Sequence, residues 1–160
     1  MAGETPPYRA GKVGQIAVVV RSLDRAVERY WHFLGIGPWS LYTYGPAVMP
    51  EMTYMGKPAA FTMRIALAQA GGVVFELIEH LEGPTIYRDF LERHGEGIHH
   101  MGVYVPKLHD AVEAAVAEGY RVLQGGYGYG KRGDGGFAYL ATDDDLGATI
   151  ELIEVPVERI

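Results

Sequence analysis

Four polar residues stand in otherwise apolar stretches of this 160-residue chain: Gln15 in VGQIAVVV, Glu76 in VVFELIEH, His100 in GIHHMGVYV and Glu151 in ATIELIE. Two carboxylates, an imidazole and an amide oxygen make an N/O donor set of the kind that suits a divalent metal. Two carboxylates in like apolar surroundings need a cation or a proton, because burying an unpaired charge is very costly. With a dication the four donors form a neutral site that leaves room for one or two waters or substrate oxygens. On pattern alone two plainer readings also fit: strand-end residues facing solvent, or a hydrogen-bonded Glu–His pair.

The spacing ties these residues to a repeat. Gln15 and His100 are 85 positions apart, and the same offset brings Val20 onto Val105, Leu23 onto Leu108, Ala26 onto Ala111 and Val27 onto Val112. A fixed internal offset marks one unit written twice. FELIE and IELIE place Glu76 and Glu151 at an offset of 75, so the first copy is ten residues longer before its last strand. The excess belongs in GPAVMPEMTYMGKPAA, 45–60, whose three prolines and two glycines read as a long loop. That loop is expected to wall the site.

The elements that must position the four residues follow from periodicity. Residues 13–20 read as a strand. Ser22 is a candidate N-cap for a helix carried by Leu23, Ala26, Val27, Tyr30 and Leu34 and stopped at Gly35. Strands are expected at 39–44, 61–68 and 73–80, the last two joined as a hairpin through Gly71-Gly72. Gly83-Pro84 should open a linking helix, 84–94, with proline at its first position. The second copy supplies a strand at 98–105, a helix at 107–118 and strands near 120–124, 136–142 and 148–155. Asp143 to Asp145 read as a hairpin turn. The fold class is therefore α+β: two βαβββ modules forming a cupped, mostly antiparallel eight-stranded sheet. A mobile tail at 1–11 precedes a single domain, 12–160, whose modules are 12–82 and 97–155.

Strand alternation sets Gln15 on a face with Ala17 and Val19, Glu76 with Val74 and Ile78, His100 with Gly102 and Tyr104, and Glu151 with Ile153. His99 is expected on the opposite face, packed toward the helices. His80 lies about 13 Å along the strand from Glu76, at the pocket mouth or on the surface. Glu79 and Glu154 are out of phase and expected exposed, and His32, His94 and His109 solvated. The tyrosines of 125–136, with Trp39, Tyr42, Tyr44 and Tyr54, form either an aromatic pocket wall or ordinary packing.

Composition removes other classes. At 48% hydrophobic content the chain can bury one core, and its longest apolar run, IAVVV, falls far short of the roughly 20 residues of a membrane span. There is no cysteine, hence no disulfide and no thiolate. A net charge of −6, with no basic run beyond Lys131-Arg132, argues against nucleic acid. GGYGYGKRGDGG, 125–136, lacks the GK[ST] ending and following helix of a phosphate loop. MAGETPPYRAGK has no apolar signal core, and a cytoplasmic location is expected.

VGQIAVVVRSLDRAVERY, FELIEHLEGP, HGEGIHHMGVYV and DGGFAYLATDDDLGATIELIE resemble the vicinal oxygen chelate (glyoxalase, bleomycin resistance, dioxygenase) superfamily over about residues 12–155. The stretch ELIEHLEGPTIYRDFLERHGEGIHHMGVYV is most similar to methylmalonyl-CoA epimerases. The resemblance implies a divalent ion, with Co, Ni, Mn, Zn and Fe not distinguished, held by Gln15, Glu76, His100 and Glu151. It implies proton abstraction beside a carbonyl with stabilisation of an enediolate, Glu151 being first choice as base, Glu76 second and Glu51 third. The chain departs from the epimerases, which usually have His where Gln15 stands. Gln, Glu, His and Glu in that order is the set of one class of glyoxalase I, so a glyoxalase I-like lyase is the alternative. The Asn that helps hold glutathione there has no clear match in ELIEHLEG. Extradiol dioxygenases need two His and one carboxylate around iron, which Gln15 disfavours. A non-catalytic, bleomycin-resistance-like binding protein is the alternative from another class. The expected partners are a small carbonyl substrate, an acyl-CoA thioester fitting the resemblance most closely, and a second copy of the chain in a homodimer. No nucleic acid and no membrane are expected.

Overall fold

The apolar, β-branched run after Lys12 forms the strand on which the whole sheet hangs. In the computed structural model, which describes residues 12–159, the elements are β1 (Lys12–Val20), α1 (Leu23–Leu34), β2 (Ser40–Tyr44), β3 (Glu51–Tyr54), β4 (Lys57–Pro58), β5 (Thr62–Ala70), β6 (Val73–Glu82), α2 (Ile86–His94), β7 (Gly97–Tyr104), α3 (Leu108–Ala117), β8 (Val122–Tyr129), β9 (Gly135–Leu140), α4 (Asp143–Leu146) and β10 (Thr149–Glu154). The tail expected at 1–11 lies outside the described residues. The strands form one sheet in the order β2-β5-β6-β1-β7-β10-β9-β8-β3-β4. Its seam is the antiparallel pair β1–β7, and each seam strand has a parallel partner on its other side, β6 for β1 and β10 for β7. The two copies of the repeat thus meet back to back through their first strands. All other pairings in the sheet are antiparallel.

Alternation sorts side chains into three apolar layers. On the convex face, Val18, Val20 and Leu77 pack with Leu23 and Ala26 of α1. The matching residues of the second half, Val103, Ala138, Leu140 and Leu152, pack with Leu108 and Ala111 of α3. On the concave face Ala17, Val19, Ile78, Phe137 and Tyr139 join Ile86, Tyr87 and Leu91 of α2, which closes one side of the cup. Gly35 ends α1 in the left-handed conformation, φ 66°, that glycine adopts without strain.

Several elements differ from expectation, each for a readable reason. Ten strands form instead of eight, because the 45–60 stretch carries β3 and β4. Its backbone crosses the sheet and pairs with the open edge of β8, Glu51 opposite Tyr127 through Tyr54 opposite Gln124. β8 runs into the glycine-rich stretch as far as Tyr129. Glycine suits it there because rings lie across the backbone: a Cβ at Gly126 would stand 2.7 Å from the Phe137 ring. α2 starts at Ile86, not at Pro84, because the Thr85 hydroxyl accepts the Arg88 N–H and makes Thr85 the N-cap. Asp143 to Asp145 form a helical turn, not a hairpin. Thr142 holds its base, accepting the Ile150 N–H and donating to the Ala148 carbonyl. Among the described residues, no helix is long and apolar enough to cross a membrane.

Candidate metal centre

The four residues singled out by type and parity come from four adjacent strands, β6, β1, β7 and β10. They lie in two short rows across the sheet. In one row Ala17 is flanked by Glu76 on one side and His100 on the other. In the other Gly102 is flanked by Gln15 and Glu151. Ala17 and Gly102 are themselves related by the 85-residue offset. Each row therefore has a small residue at its centre, and the longer side chains lean inward over it. At Gly102 the space is spent: a Cβ there would stand 2.7 Å from Gln15 Cβ and 2.8 Å from Ile153 Cδ1.

The side chains converge as their alternation requires. Gln15 Nε2 donates to Glu76 Oε2 at 2.9 Å and to Glu151 Oε2 at 3.2 Å. His100 Nε2 lies 3.0 Å from Glu151 Oε2 and 3.4 Å from Glu76 Oε2. All four residues are buried. Donor atoms of Glu76, His100 and Glu151 fall within 4.8 Å of one another. Yet His100 Nε2, fully buried, has no hydrogen-bond partner. It attracts both carboxylates as a charge but points along the line to neither. A buried polar atom left so is costly.

The set fits a divalent cation. Two donors at about 2.1 Å from one ion, at octahedral or tetrahedral angles, lie roughly 3.0–3.4 Å apart, which is the span of the His100–carboxylate distances here. The Gln15 amide presents nitrogen to both carboxylates, and a half-turn of the amide presents its oxygen instead. In the absence of an ion, a proton on His100 serves the carboxylates. Burial alone would lower its pKa, but the charges of Glu151 and Glu76 outweigh burial and raise it to about 9. Burial, partly offset by His100, raises Glu76 above the usual carboxylate range.

His99 is not on the opposite face. Val18 pairs with Ile98 and Ala17 with His100, so His99 is the extra residue of a β-bulge. Bulges re-aim a side chain that strict alternation would send away. The His99 ring turns toward α2, against Phe90 (centroids 5.0 Å apart) and Tyr87 (5.7 Å), and its Nδ1 sits 3.0 Å from Nδ1 of His100. Burial, with the charge of His100 second, lowers His99 to about 3, so it is neutral. A neutral His99 accepting from His100 Nδ1–H leaves Nε2 of His100 facing the two carboxylates.

Above the donors the cup closes to a cavity of about 30 Å³, lined by Gln15, Glu76, Glu151, Tyr44, Tyr87, Phe137 and Tyr139 among others. Tyr87 donates to the Tyr139 hydroxyl at 2.9 Å, and the Tyr139 ring stands edge-on to His100, centroids 4.8 Å apart. Of the aromatic wall expected from sequence, Tyr44 and Tyr129 line the cavity. Trp39 instead packs on the convex face against Tyr30 and Phe75, Tyr127 joins the α3 layer, and Tyr54 donates to Asp89. The 45–60 stretch does not line the cavity. Its Met49 and Met52 are buried one layer behind, in the concave-face cluster. Glu51, the third choice of base, is exposed on β3. His80 is tied to the Thr85 hydroxyl at 3.0 Å and takes no part in the site. Glu79 pairs with Arg64, and Glu154 accepts the Leu108 N–H at 2.7 Å, capping α3 rather than facing solvent. Arg159 also lines the cavity, and sequence reasoning missed it because it follows the last strand with no periodic pattern around it.

A sequence model of the Glyoxalase/Bleomycin resistance protein/Dioxygenase superfamily matches residues 14–139. No curated protein sequence matches the chain significantly. Among solved structures, a substituted Streptomyces coelicolor methylmalonyl-CoA epimerase in complex with 2-nitronate-propionyl-CoA is similar, with TM-score 0.64 and 20% identity, covering 95% of this chain and 99% of that one. A Mycobacterium tuberculosis methylmalonyl-CoA epimerase is similar with TM-score 0.58 and 22% identity, covering 92% of each chain. A hypothetical protein from Bacillus halodurans is similar with TM-score 0.62 and 21% identity, covering 90% of this chain and 94% of that one. At these identities the likeness is one of fold.

Proposed function

The chain belongs to the glyoxalase/bleomycin resistance protein/dioxygenase superfamily, and on that premise we propose that it is a metal-dependent enzyme moving a proton beside a carbonyl, of the methylmalonyl-CoA epimerase kind. The observation that carries this reading is the buried, partnerless Nε2 of His100 facing two carboxylates that share only the Gln15 amide. Gln15, Glu76, His100 and Glu151 would hold the ion. Such an ion, when bound, acts as a Lewis acid toward negative charge developing on carbonyl oxygens. The chain's own part is to place a base, exclude water and fix the donors. Glu151 is the first choice to take the α-proton and Glu76 the second. Tyr87, Phe137 and Tyr139 dry the cavity, which strengthens every charge interaction inside it. The substrate class is a small carbonyl compound, with an acyl-CoA thioester first. The order Gln, Glu, His, Glu favours a glyoxalase I-like lyase as second reading.

The test has two steps. Elemental analysis of protein purified without added metal should find about one divalent ion per chain, since four donors meet at a single point. Metal-loaded protein should then wash deuterium from solvent into the α-carbon of an acyl-CoA such as methylmalonyl-CoA. Exchange with hemithioacetals of methylglyoxal instead would select the lyase. A metal-free protein that binds ligands without exchange would select a non-catalytic binding protein and end the proposal.

A further inference from the structure

We infer that Tyr139 is a catalytic residue of this site: its hydroxyl donates to the substrate oxygen that gains charge as the α-proton leaves, and Tyr87 and Gln124 position it. The inference rests on the chelate reading above and deepens it. The row that carries Gln15, Gly102 and Glu151 does not stop at Glu151. It continues across the sheet through Tyr139 on β9 to Gln124 on β8, each residue directly opposite the next. Tyr139, Tyr87 and Gln124 are fully buried, and the two tyrosines line the cavity with Gln15, Glu76 and Glu151. In the first half of the chain, the residue opposite Glu76 in the matching place is Leu67. A hydroxyl therefore stands beside one carboxylate of the pair and not beside the other.

The hydrogen bonds decide which proton is left over. Gln124 Oε1 accepts the Ile86 N–H at 2.9 Å, so the nitrogen of that amide is the end turned away from Ile86. This Nε2 is buried with no aligned partner. The hydroxyl it acts on is that of Tyr87, whose pKa burial raises and the Gln124 amide, among lesser influences, lowers. With an amide N–H on its oxygen, Tyr87 directs its own proton to the Tyr139 hydroxyl at 2.9 Å. Tyr139 accepts it, and among the described residues its own O–H has no acceptor. A phenol keeps its proton to about pH 10, and a buried donor without an acceptor is costly. What this donor lacks is an oxygen inside the cavity. When the α C–H bond breaks, the proton passes to the Glu151 carboxylate, the bonding pair forms C=C and the carbonyl π pair moves onto oxygen. The Tyr139 O–H meets that charge without giving up its proton, and return of a proton to carbon reverses each shift. A donor fixed in advance where charge develops lowers the barrier without reorganising.

The test uses Co²⁺-loaded full-length protein and acetohydroxamic acid, whose two vicinal oxygens and negative charge stand in for the enediolate. Titration calorimetry should find binding to Tyr139→Phe weaker than to the parent by about 10- to 100-fold, the range for a hydrogen bond to a charged oxygen. Chelator competition should find Co²⁺ affinity unchanged. Tyr87→Phe should weaken the hydroxamate less, and the double variant no more than Tyr139→Phe alone, because Tyr87 acts through Tyr139. With methylmalonyl-CoA at saturating metal, Tyr139→Phe should lower kcat by about 10²- to 10³-fold and leave KM nearly constant, since the charge it meets exists only in the transition state. If Tyr139→Phe binds the hydroxamate as the parent does, or loses Co²⁺ and hydroxamate in step, Tyr139 only packs and the inference is overturned. Additive losses in the double variant would overturn the relay through Tyr87. If the loaded parent itself binds no hydroxamate, the chelate reading falls, and this inference with it.

Discussion

Glu76 and Glu151 are twins of the repeat but sit differently about His100, at 3.4 and 3.0 Å, and about Gln15, at 2.9 and 3.2 Å. Replacing either with Gln keeps its size and one oxygen donor but removes charge and basicity. Metal retention should weaken partly and comparably in the two variants. At saturating metal, Glu151→Gln should lose about 10²- to 10⁴-fold in α-proton exchange, the worth of a positioned base, and Glu76→Gln less. Equal exchange by Glu151→Gln and parent would move the base to Glu76. His99→Phe keeps the ring contacts with Tyr87 and Phe90 but removes the acceptor for His100 Nδ1. Chelator competition should show metal affinity falling about 10- to 100-fold, as for other outer partners of a ligand histidine, with the fold intact by circular dichroism. Unchanged affinity would reduce His99 to packing. The convergence of Gln15, Glu76, His100 and Glu151 was legible because a polar residue inside an apolar strand declares its face. His99 was not, since a bulge is set by cross-strand register and leaves no mark in a single strand.

The helices and long strands were legible for the same physical reason as the donors: burial on one face imposes a period. β3 and β4 were not, because their stabilisation comes from the open edge of β8, far along the chain. Proline and glycine in 45–60 describe only the local backbone. Glu154 shows the converse, a residue whose parity suggested solvent but whose carboxylate caps α3 through the Leu108 N–H. Glu154→Ala should cost about 1 kcal/mol, the usual loss of a helix cap, in denaturant unfolding, with metal affinity unchanged. A matching loss of metal affinity would mean that α3 positions the donors and does more than cover the convex face.

In the whole molecule the site and the fold share one proton ledger. His100 holds its proton to about pH 9 in the metal-free folded state, against about 6.5 when unfolded. The stability this contributes is complete below about 6.5 and is lost as pH rises through 9, at up to roughly 1.4 kcal/mol per pH unit. The melting temperature of metal-free protein should therefore fall between pH 6.5 and 9, and that of metal-loaded protein should not follow it. Parallel curves would place no proton on His100. The two rows of donors carry a further consequence for the order of assembly. Glu76 and His100 face each other across β1, and Gln15 and Glu151 across β7, so neither row exists until the seam has closed. The unfolded chain offers a cation no cysteine and, of the four residues, only His100 as a nitrogen donor, with Gln15, Glu76 and Glu151 far from it in sequence. An ion held there would then be the last component recruited, and nearly all its binding free energy would accrue to the native state: at a hundred times its Kd, about 2.7 kcal/mol. A chain that takes an ion there would fold first around a protonated His100 and exchange that proton for the ion afterwards.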